Sequence, residues 1–221
     1  PDEGGSMRIL VLAKEPVPGR VKTRLQPCLT AVQAAEVAAA ALHDTLVAAD
    51  ATAATDRVLA LDGGVGPWLP QGWRVIEQRG ETFPERLAAA WGEQPGPTLQ
   101  IGMDTPQVTT SQLDDAMARL DEHDCVLGPA SDGGWWALGL RTREPRAFQG
   151  VPMSSRCTCT HQLRRLRELG LGPKLLDTVT DVDTWDDALE VAIAAPGTRF
   201  AAIVADLRDT GPAAHTARGL T

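Results

Sequence analysis

Four basic side chains lie close together in the segment from Lys14 to Arg24, directly after the first apolar run of the chain. They are Lys14, Arg20, Lys22 and Arg24, and Gly19 and two prolines in the same segment prevent regular structure. A phosphate chain needs fixed positive charge and free backbone N–H groups. The segment therefore predicts a phosphate-binding loop. The alternative is a solvated, charged surface loop, but such clustering is uncommon in a chain whose net charge is -8.

A lone carboxylate, Asp104, follows the apolar stretch 98–102 with only one residue between them, and Pro106 fixes the turn after it. Carboxylate oxygens at a strand end are the hard ligands that hold Mg²⁺ while phosphate oxygens and waters complete its coordination. The alternative role is a cap for the helix that follows. Because Thr109 or Thr110 offers that cap, Asp104 is predicted to bind metal.

A second acidic pair, Asp181 and Asp183, stands near the start of a late helical pattern. Two residues two apart project to the same side of an extended segment. Asp183 either completes a metal site with Asp104 or caps the last predicted helix, and the spacing favours neither role.

A third polar cluster, 131–134, contains Asp132 followed by Gly133 and Gly134, which predicts a turn where a ligand approaches the backbone closely. Trp135 and Trp136 follow it and form either a wall of a binding site or part of the core; core is the more common place for strand aromatics. A hydrolase function lacks a recognisable nucleophile, because the sequence contains no Ser/His/Asp order, no GxSxG elbow and no HExxH pair.

Alternating strand and helix patterns must position these clusters, and they predict an α/β fold with helices on both faces of an open sheet. In such sheets ligands bind beyond the carboxyl ends of the strands, where the three clusters fall. The strand after the third cluster is expected to be an antiparallel insertion in a mixed, mostly parallel sheet. The predicted strands are 8–13, 57–61, 73–77, 98–102, 124–127, 135–140 and 174–176, and the helices are 30–49, 83–91, 109–121, 158–169 and one from 183 or 184 to 195.

Length and composition predict one domain over 7–221, after a disordered leader at 1–6. Its core is expected at about 7–195, followed by a weakly patterned tail at 197–221 that wraps the domain or frays. The negative net charge of the chain argues against nucleic-acid partners, and no apolar run is long enough to cross a membrane. No signal peptide is visible, so the cytoplasm is the expected location. The four cysteines form no zinc pattern and are interpreted as reduced thiols.

The clusters, in this order, resemble the bacterial rSAM/seleno-domain-associated transferase family, which has the glycosyltransferase-A fold and belongs to the nucleotide-diphospho-sugar transferase superfamily. The resemblance spans about 7–195 and depends on segments 13–25, 44–46, 102–106, 127–140 and 181–184. The chain departs from the family at 153–155, where many members have a Trp-Ser pair, and at Trp135 and Trp136, where tyrosines are common.

The resemblance implies a three-layer sandwich and a Mg²⁺-dependent (or Mn²⁺-dependent) transferase acting on a nucleotide phosphate. Lys22, Arg24 and Asp104 are the implied catalytic residues, and Asp104 with Asp183 is the implied metal site. The implied nucleotide-binding set is Ala13, Lys14, Gly19, Arg20, Lys22, Arg24, Gln78 and Gly102. The implied substrate-binding set is Asp132, Gly133, Gly134, Trp135 and Ser154.

Two transfer reactions fit these residues, together with a small-molecule acceptor. The resemblance favours a glycosyltransferase that uses a nucleotide-diphospho-sugar, and this is the leading expectation. The cationic loop favours a nucleotidyltransferase of guanylyl or cytidylyl type, because a triphosphate demands more positive charge. A third hypothesis is a nucleotide-binding protein without turnover. The sequence leaves the base, sugar, acceptor and oligomeric state open.

Overall fold

A seven-stranded sheet forms the centre of the computed structural model, which describes residues 6–92 and 96–210. In chain order the strands are β1 (Arg8–Lys14), β2 (Asp56–Asp62), β3 (Arg74–Glu77), β4 (Thr98–Gly102), β5 (Cys125–Pro129), β6 (Trp135–Leu140) and β7 (Pro173–Leu175). Across the sheet their order is β3-β2-β1-β4-β6-β5-β7. Neighbours are parallel except that β6 is antiparallel to β4 and β5. The predicted mixed, mostly parallel sheet is confirmed.

Strand β1 is apolar because both of its faces are covered. Successive side chains of a strand point to opposite faces, so Ile9 and Val11 enter one apolar cluster while Leu10 and Leu12 enter another. Strand β4 lies beside β1 in parallel register, with Gly102 opposite Leu12. The loops that leave these two strands therefore begin at the same edge of the sheet.

The described residues contain six α-helices: α1 (Ala31–Asp50), α2 (Phe83–Trp91), α3 (Thr110–Ala118), α4 (Thr158–Glu168), α5 (Trp185–Ala194) and α6 (Arg199–Thr210). Helices α1 and α3 pack on one face and α2 and α4 on the other, which gives the predicted three layers. Four helices begin with a capping box, in which a threonine and the side chain three residues later satisfy each other's backbone N–H groups. These N-caps are Thr30, Thr82, Thr109 and Thr184.

Alanine dominates α1 because this helix is buried on two sides. Ala38 and Leu42 face the sheet, whereas Val37 and Ala41 face a third apolar cluster formed with α5 and α6. A helix between two packed layers needs small side chains for close approach. Small residues therefore fit α1, although they give it a weak amphipathic pattern.

The tail expected from 197 onward, which was predicted either to wrap the domain or to fray, contains a helix that was not predicted: up to residue 210 it forms α6, which packs against α1 and α5. A local signal was present: the Thr198 hydroxyl accepts a hydrogen bond from the backbone N–H of Ala201, as an N-cap does. Phe200, Val204 and Leu207 follow at helical spacing and are buried. The part of the predicted tail after 210, and all but one residue of the predicted leader, lie outside the described residues.

Smaller corrections concern element ends. The helix predicted for 109–121 ends earlier, since α3 passes into a 3₁₀ turn at Arg119–Asp121. Strand β5 continues to Pro129, beyond the predicted Leu127. A further 3₁₀ turn that was not predicted, Thr23–Leu25, ends the basic loop, and its buried Leu25 belongs to the third apolar cluster.

Candidate functional site

A cavity of about 560 Å³ opens at the edge of the sheet where β1 and β4 end. Most of the site residues predicted from the sequence line it: Ala13, Lys14, Arg20, Lys22, Arg24, Gln78, Gly102, Asp104, Asp132, Gly134, Trp135, Ser154 and Asp183. Gly19 and Gly133 do not. The fold therefore brings the basic loop and the two carboxylates expected to bind metal to one cavity.

Lys22 and Asp104 form an ion pair at the centre of this cavity, with Nζ 2.7 Å from Oδ1. The Lys22 side chain is only 9% exposed, and its ammonium also donates to the carbonyl oxygen of Val182. Lys22 adopts a left-handed backbone conformation (φ 48°), which is costly for a residue with a side chain. The two ammonium contacts offset that cost and hold the basic loop against the end of β4.

Arg24 and Asp183 form a second pair nearer to solvent. The hydrogen bond and charge of Asp183 raise the pKa of Arg24, with smaller contributions from Asp132 and Asp181. Asp183 does not cap α5, because Thr184 does. Of the two roles left open for Asp183, the capping role is therefore excluded.

Lys14 and Arg20 line the same cavity, but among the described residues neither side chain has an ion pair or hydrogen bond. The four cations predicted to bind phosphate thus divide into two that already contact carboxylates and two that do not. The second pair is available to an anionic ligand without loss of an existing contact.

Asp181 lies beside these groups with a buried Oδ1 that has no hydrogen-bond partner. Burial, together with the negative charges of Asp132 and Asp104, raises the pKa of Asp181 to about 6, although the charge of Lys22 opposes this shift. Negative charge is therefore incompletely compensated on the carboxylate side of the cavity.

A divalent cation fits this donor set. Asp104 and Asp183 both offer carboxylate oxygens to the cavity, and the uncompensated charge at Asp181 favours an added cation. No group of three or more metal-ligating side chains occurs among the residues that the structure describes. Two carboxylates leave several coordination positions for phosphate oxygens and water, as expected of Mg²⁺ held together with its substrate.

The turn at Asp132 is built by its own contacts. The Asp132 Oδ1 accepts a hydrogen bond from the backbone N–H of Gly134 at 2.6 Å. Gly133 has φ 92°, and a Cβ there would lie 2.0 Å from the carbonyl oxygen of Arg156. The sequence predicted that a ligand approaches the backbone closely at this turn. At Gly133 that space is taken by the backbone of Arg156, whereas Asp132 and Gly134 line the cavity.

The two tryptophans divide between the predicted alternatives. Trp136 is buried, and its Nε1 donates to the carbonyl oxygen of Asp177 at 3.0 Å. Trp135 lines the cavity as a wall. Ser154 also lines it, from a loop in which this residue has φ 56°.

Gln78 and Gly102 complete the predicted nucleotide-binding set. Nε2 of Gln78 donates to the carbonyl oxygens of Ala13, at 2.8 Å, and Ala60, at 3.0 Å. This fixes the orientation of the amide beside β1. Gly102 has open space where a Cβ would stand, so a ligand can pass close to its backbone.

Sequence analysis missed several lining residues: Leu12, Phe83, Gln100, Met153 and Thr158. Four of them follow no chemical motif, and only the fold brings them to the cavity. Gln100 carried a signal, since a carboxamide inside an apolar strand requires a partner.

All four cysteines lie within the described residues and are free thiols there. No helix within the described residues is long and apolar enough to span a membrane.

A family model matches residues 32–155, more than half of the chain, and carries the description "Uncharacterized protein conserved in bacteria (DUF2064)". The chain belongs to this family. A curated relative of this DUF2064 chain, 3-phospho-D-glycerate guanylyltransferase of Phenylobacterium zucineum, is 33% identical over 127 residues. That match covers 55% of this chain and 56% of the relative, so the chain spans about half the length of the curated protein it matches.

Two solved structures resemble the DUF2064 fold described above. A candidate nucleotide-diphospho-sugar transferase from Desulfovibrio desulfuricans superimposes with a TM-score of 0.83 and 23% identity, over 92% of this chain and 95% of that chain. A Mycobacterium tuberculosis protein in complex with manganese gives a TM-score of 0.50 and 18% identity, over 84% and 97%. At these identities the likenesses show the fold alone, which is that of nucleotide-diphospho-sugar transferases.

Proposed function

We propose that the protein is a divalent-metal-dependent transferase acting on a nucleotide-phosphate donor, and that it transfers a nucleotidyl group with release of pyrophosphate. The observation that supports this most is that two cations, Lys14 and Arg20, have no partner among the residues that the structure describes and share a cavity with two paired carboxylates. A triphosphate carries more negative charge than a diphosphate-sugar, and it would use both of these cations.

Each residue of the site then has a defined task. Lys14 and Arg20 bind the phosphate chain, and Lys22 and Arg24 join them when their carboxylates are engaged elsewhere. Asp104 and Asp183 hold the cation, Mg²⁺ or Mn²⁺. When bound, such a cation stabilises negative charge that develops on phosphate oxygens.

The acceptor is a small molecule held beside Asp132, Gly134, Trp135 and Ser154. Its hydroxyl or phosphate oxygen attacks the α-phosphorus in line, so that a new O–P bond forms as the bond to the pyrophosphate oxygen breaks. Where the acceptor is a hydroxyl, its proton passes to solvent or to a carboxylate of the cavity. Fixed positive charge and position supply most of the catalysis in such reactions.

The relatives support this choice without establishing it. The curated relative is named as a guanylyltransferase, which favours GTP as donor. The manganese complex of the fold neighbour favours a divalent cation. We also propose membership of the rSAM/seleno-domain-associated subfamily, supported by the motifs quoted above. Four cysteines without a disulfide support the cytoplasm as the location.

Glycosyl transfer from a nucleotide-diphospho-sugar is the second candidate. An uncharged wall that includes Trp135 and Phe83 offers a surface on which a sugar ring packs. The solved structure with the TM-score of 0.83 is named as a candidate enzyme of this kind.

Pyrophosphate release decides between the two reactions. The protein is incubated with Mg²⁺, each nucleoside triphosphate or nucleotide-sugar, and a panel of phosphorylated and hydroxylated acceptors. Acceptor-dependent pyrophosphate from GTP supports nucleotidyl transfer, whereas nucleoside diphosphate released from a nucleotide-sugar supports glycosyl transfer. Metal-dependent nucleotide binding without any product would leave the non-catalytic alternative.

Asp104→Ala tests the metal site. We expect loss of activity by at least about a hundredfold, because removing one charged group that acts on the transition state costs a few kcal/mol. The fold should persist, as judged by circular dichroism, since the Asp104 side chain is partly exposed. Asp115→Ala, on the exterior of α3, is the matched control. Near wild-type turnover in the Asp104 variant would contradict the assigned role.

A further inference from the structure

The floor of the cavity contains a buried carboxamide that the proposed reaction does not use. Gln100 lies in the middle of β4, opposite Leu10 of β1, and is 2% exposed. It lines the cavity, and among the described residues its side chain makes one hydrogen bond, which its Oε1 accepts from Trp91, so that Nε2 is left without a partner. A ligand that covers this N–H group without offering an acceptor would leave it unsatisfied, at a cost of about 1–3 kcal/mol. The unused donor at the cavity floor therefore points to a ligand atom.

Trp91 fixes the direction of this donor. The indole Nε1–H of Trp91 donates to the Gln100 Oε1 at 2.5 Å. An indole nitrogen can only donate, so a flipped amide would place two donors against each other. Trp91 is itself buried and packs on Phe148 with ring centroids 5.8 Å apart. The Gln100 NH₂ group is consequently held toward the cavity.

Part of the cavity lining is uncharged. Leu12, Phe83, Trp135 and Met153 line the same cavity as Gln100, and Gly102, two residues along the same face of β4, has open space where a Cβ would stand. The charged lining residues lie at or beyond strand ends: Lys14 ends β1, Arg20, Lys22 and Arg24 follow β1, Asp104 follows β4, Asp132 follows β5 and Asp183 follows β7. Phosphates therefore bind at the loops that follow these strands, and the floor accepts a flat, weakly polar part of the substrate.

We propose that Gln100 is a specificity-determining residue whose Nε2 donates a hydrogen bond to an oxygen of the nucleoside part of the donor nucleotide. This inference rests on the proposed function in taking a nucleotide as donor. The oxygen belongs either to a base carbonyl or to a ribose hydroxyl, and both present the acceptor that a buried amide needs. A ligand without that oxygen leaves the donor unpaired, which is how such sites discriminate.

Binding, measured by calorimetric titration in the presence of Mg²⁺, tests this separately from turnover. Wild-type protein and Gln100→Met are titrated with GTP, 2′-deoxy-GTP, the triphosphate of 2-aminopurine riboside (which lacks the guanine carbonyl) and pyrophosphate. We expect Gln100→Met, which keeps the side-chain length, to weaken GTP binding about tenfold, or about 1.4 kcal/mol. Pyrophosphate affinity should change less than twofold, since pyrophosphate contacts only the charged loops.

The analogues identify the oxygen. If it is the base carbonyl, wild-type protein binds the 2-aminopurine nucleotide about tenfold more weakly than GTP, and Gln100→Met binds the two alike. If the oxygen is the ribose hydroxyl, wild-type protein binds 2′-deoxy-GTP about tenfold more weakly than GTP, and Gln100→Met binds these two nucleotides alike. Equal GTP affinity of wild type and variant would overturn the inference and leave the proposed function intact. Wild-type protein that binds pyrophosphate but no nucleotide would overturn both.

Two further variants separate donation from folding. Gln100→Glu keeps an oxygen that accepts from Trp91 but, when ionised, has no N–H group to donate. We therefore expect this variant to lose GTP affinity as well. It replaces Gln100→Met in the test if the methionine variant does not fold. Trp91→Phe leaves Gln100 in place and frees its amide to rotate. We expect a few-fold loss of GTP affinity with pyrophosphate unaffected, and unchanged GTP affinity would contradict the positioning role of Trp91.

Discussion

The basic side chains of the site have different tasks although they look alike in the sequence. Lys22 is almost buried against Asp104, and Arg24 contacts Asp183 from an exposed position. Lys14 and Arg20 have no such partners among the described residues. A cation that must first leave a carboxylate contributes less to phosphate binding than one that is free, because breaking the existing pair offsets the gain.

Arg20→Ala is accordingly predicted to weaken binding of pyrophosphate and of GTP by tenfold or more, because a charge-assisted hydrogen bond to phosphate contributes about 1.5–3 kcal/mol. Arg24→Ala should weaken binding less. Titration calorimetry at fixed ionic strength measures both. Arg156→Ala removes an exposed arginine that does not line the cavity and is the matched control. Equal losses for Arg20→Ala and Arg156→Ala would show a nonspecific charge effect.

Among the helices, the start of α6 is capped by a residue of α1. Asp44 lies inside α1, yet its carboxylate accepts hydrogen bonds from the backbone N–H groups of Phe200, at 2.7 Å, and Arg199, at 3.3 Å. These are among the N–H groups that a helix start leaves without partners. The negative charge also suits the positive end of the α6 dipole. Asp44 is thus a capping residue for α6.

Asp44→Ala should lower the free energy of unfolding by about 1–2 kcal/mol, the upper part of the range for N-cap losses, because the carboxylate is mostly buried. Urea unfolding followed by circular dichroism measures it. Glu36→Ala, which removes an exposed carboxylate from the same helix, should change stability by less than about 0.5 kcal/mol. Comparable effects of the two changes would contradict the capping role.

Local signals explain why the sequence was sufficient for most elements. The bounds of α2, β4 and β6 match the predictions, because capping threonines, prolines and apolar runs lie within the elements that they define. The missed α6 had a cap and a periodic pattern, but the Pro196-Gly197 break hid its continuity with the domain. The partner of Asp44 lies 156 positions away in the chain, so spacing in the sequence could not identify it.

The sequence predicted the charged residues of the candidate site, but not the pairings between them or the uncharged residues of the lining. Motifs located the basic loop, Asp104 and Asp183, since phosphate and metal chemistry restricts residue types. Pairings between side chains distant in sequence, such as Lys22 with Asp104, depend on the register of β1 with β4. Uncharged lining residues such as Phe83 and Met153 follow no chemical rule, so only the assembled fold reveals them.

At the scale of the whole molecule, the third apolar cluster connects the C-terminal helices to the basic loop. Leu25 and Leu29, at the end of that loop, share this cluster with Phe200, Val204 and residues of α1 and α5. From Val17 to Leu29 the backbone N–H groups of the loop donate only to carbonyl oxygens close in sequence, so its position on the domain depends on anchors such as this cluster. Stability of the distant helices is therefore linked to the order of the phosphate-binding loop.

Phe200→Ala is predicted to lower the free energy of unfolding by about 3–5 kcal/mol, as expected for a large side chain that is fully buried. The substitution should also speed amide hydrogen exchange at 20–29, because removal of the Phe200 ring leaves an empty space in the cluster that contains Leu25 and Leu29. Phe148→Ala is the matched control: Phe148 is as large and nearly as buried, but belongs to the cluster on the face of α2 and α4. Similar acceleration of exchange at 20–29 in both variants would mean that general destabilisation, rather than the third cluster, governs the order of the loop.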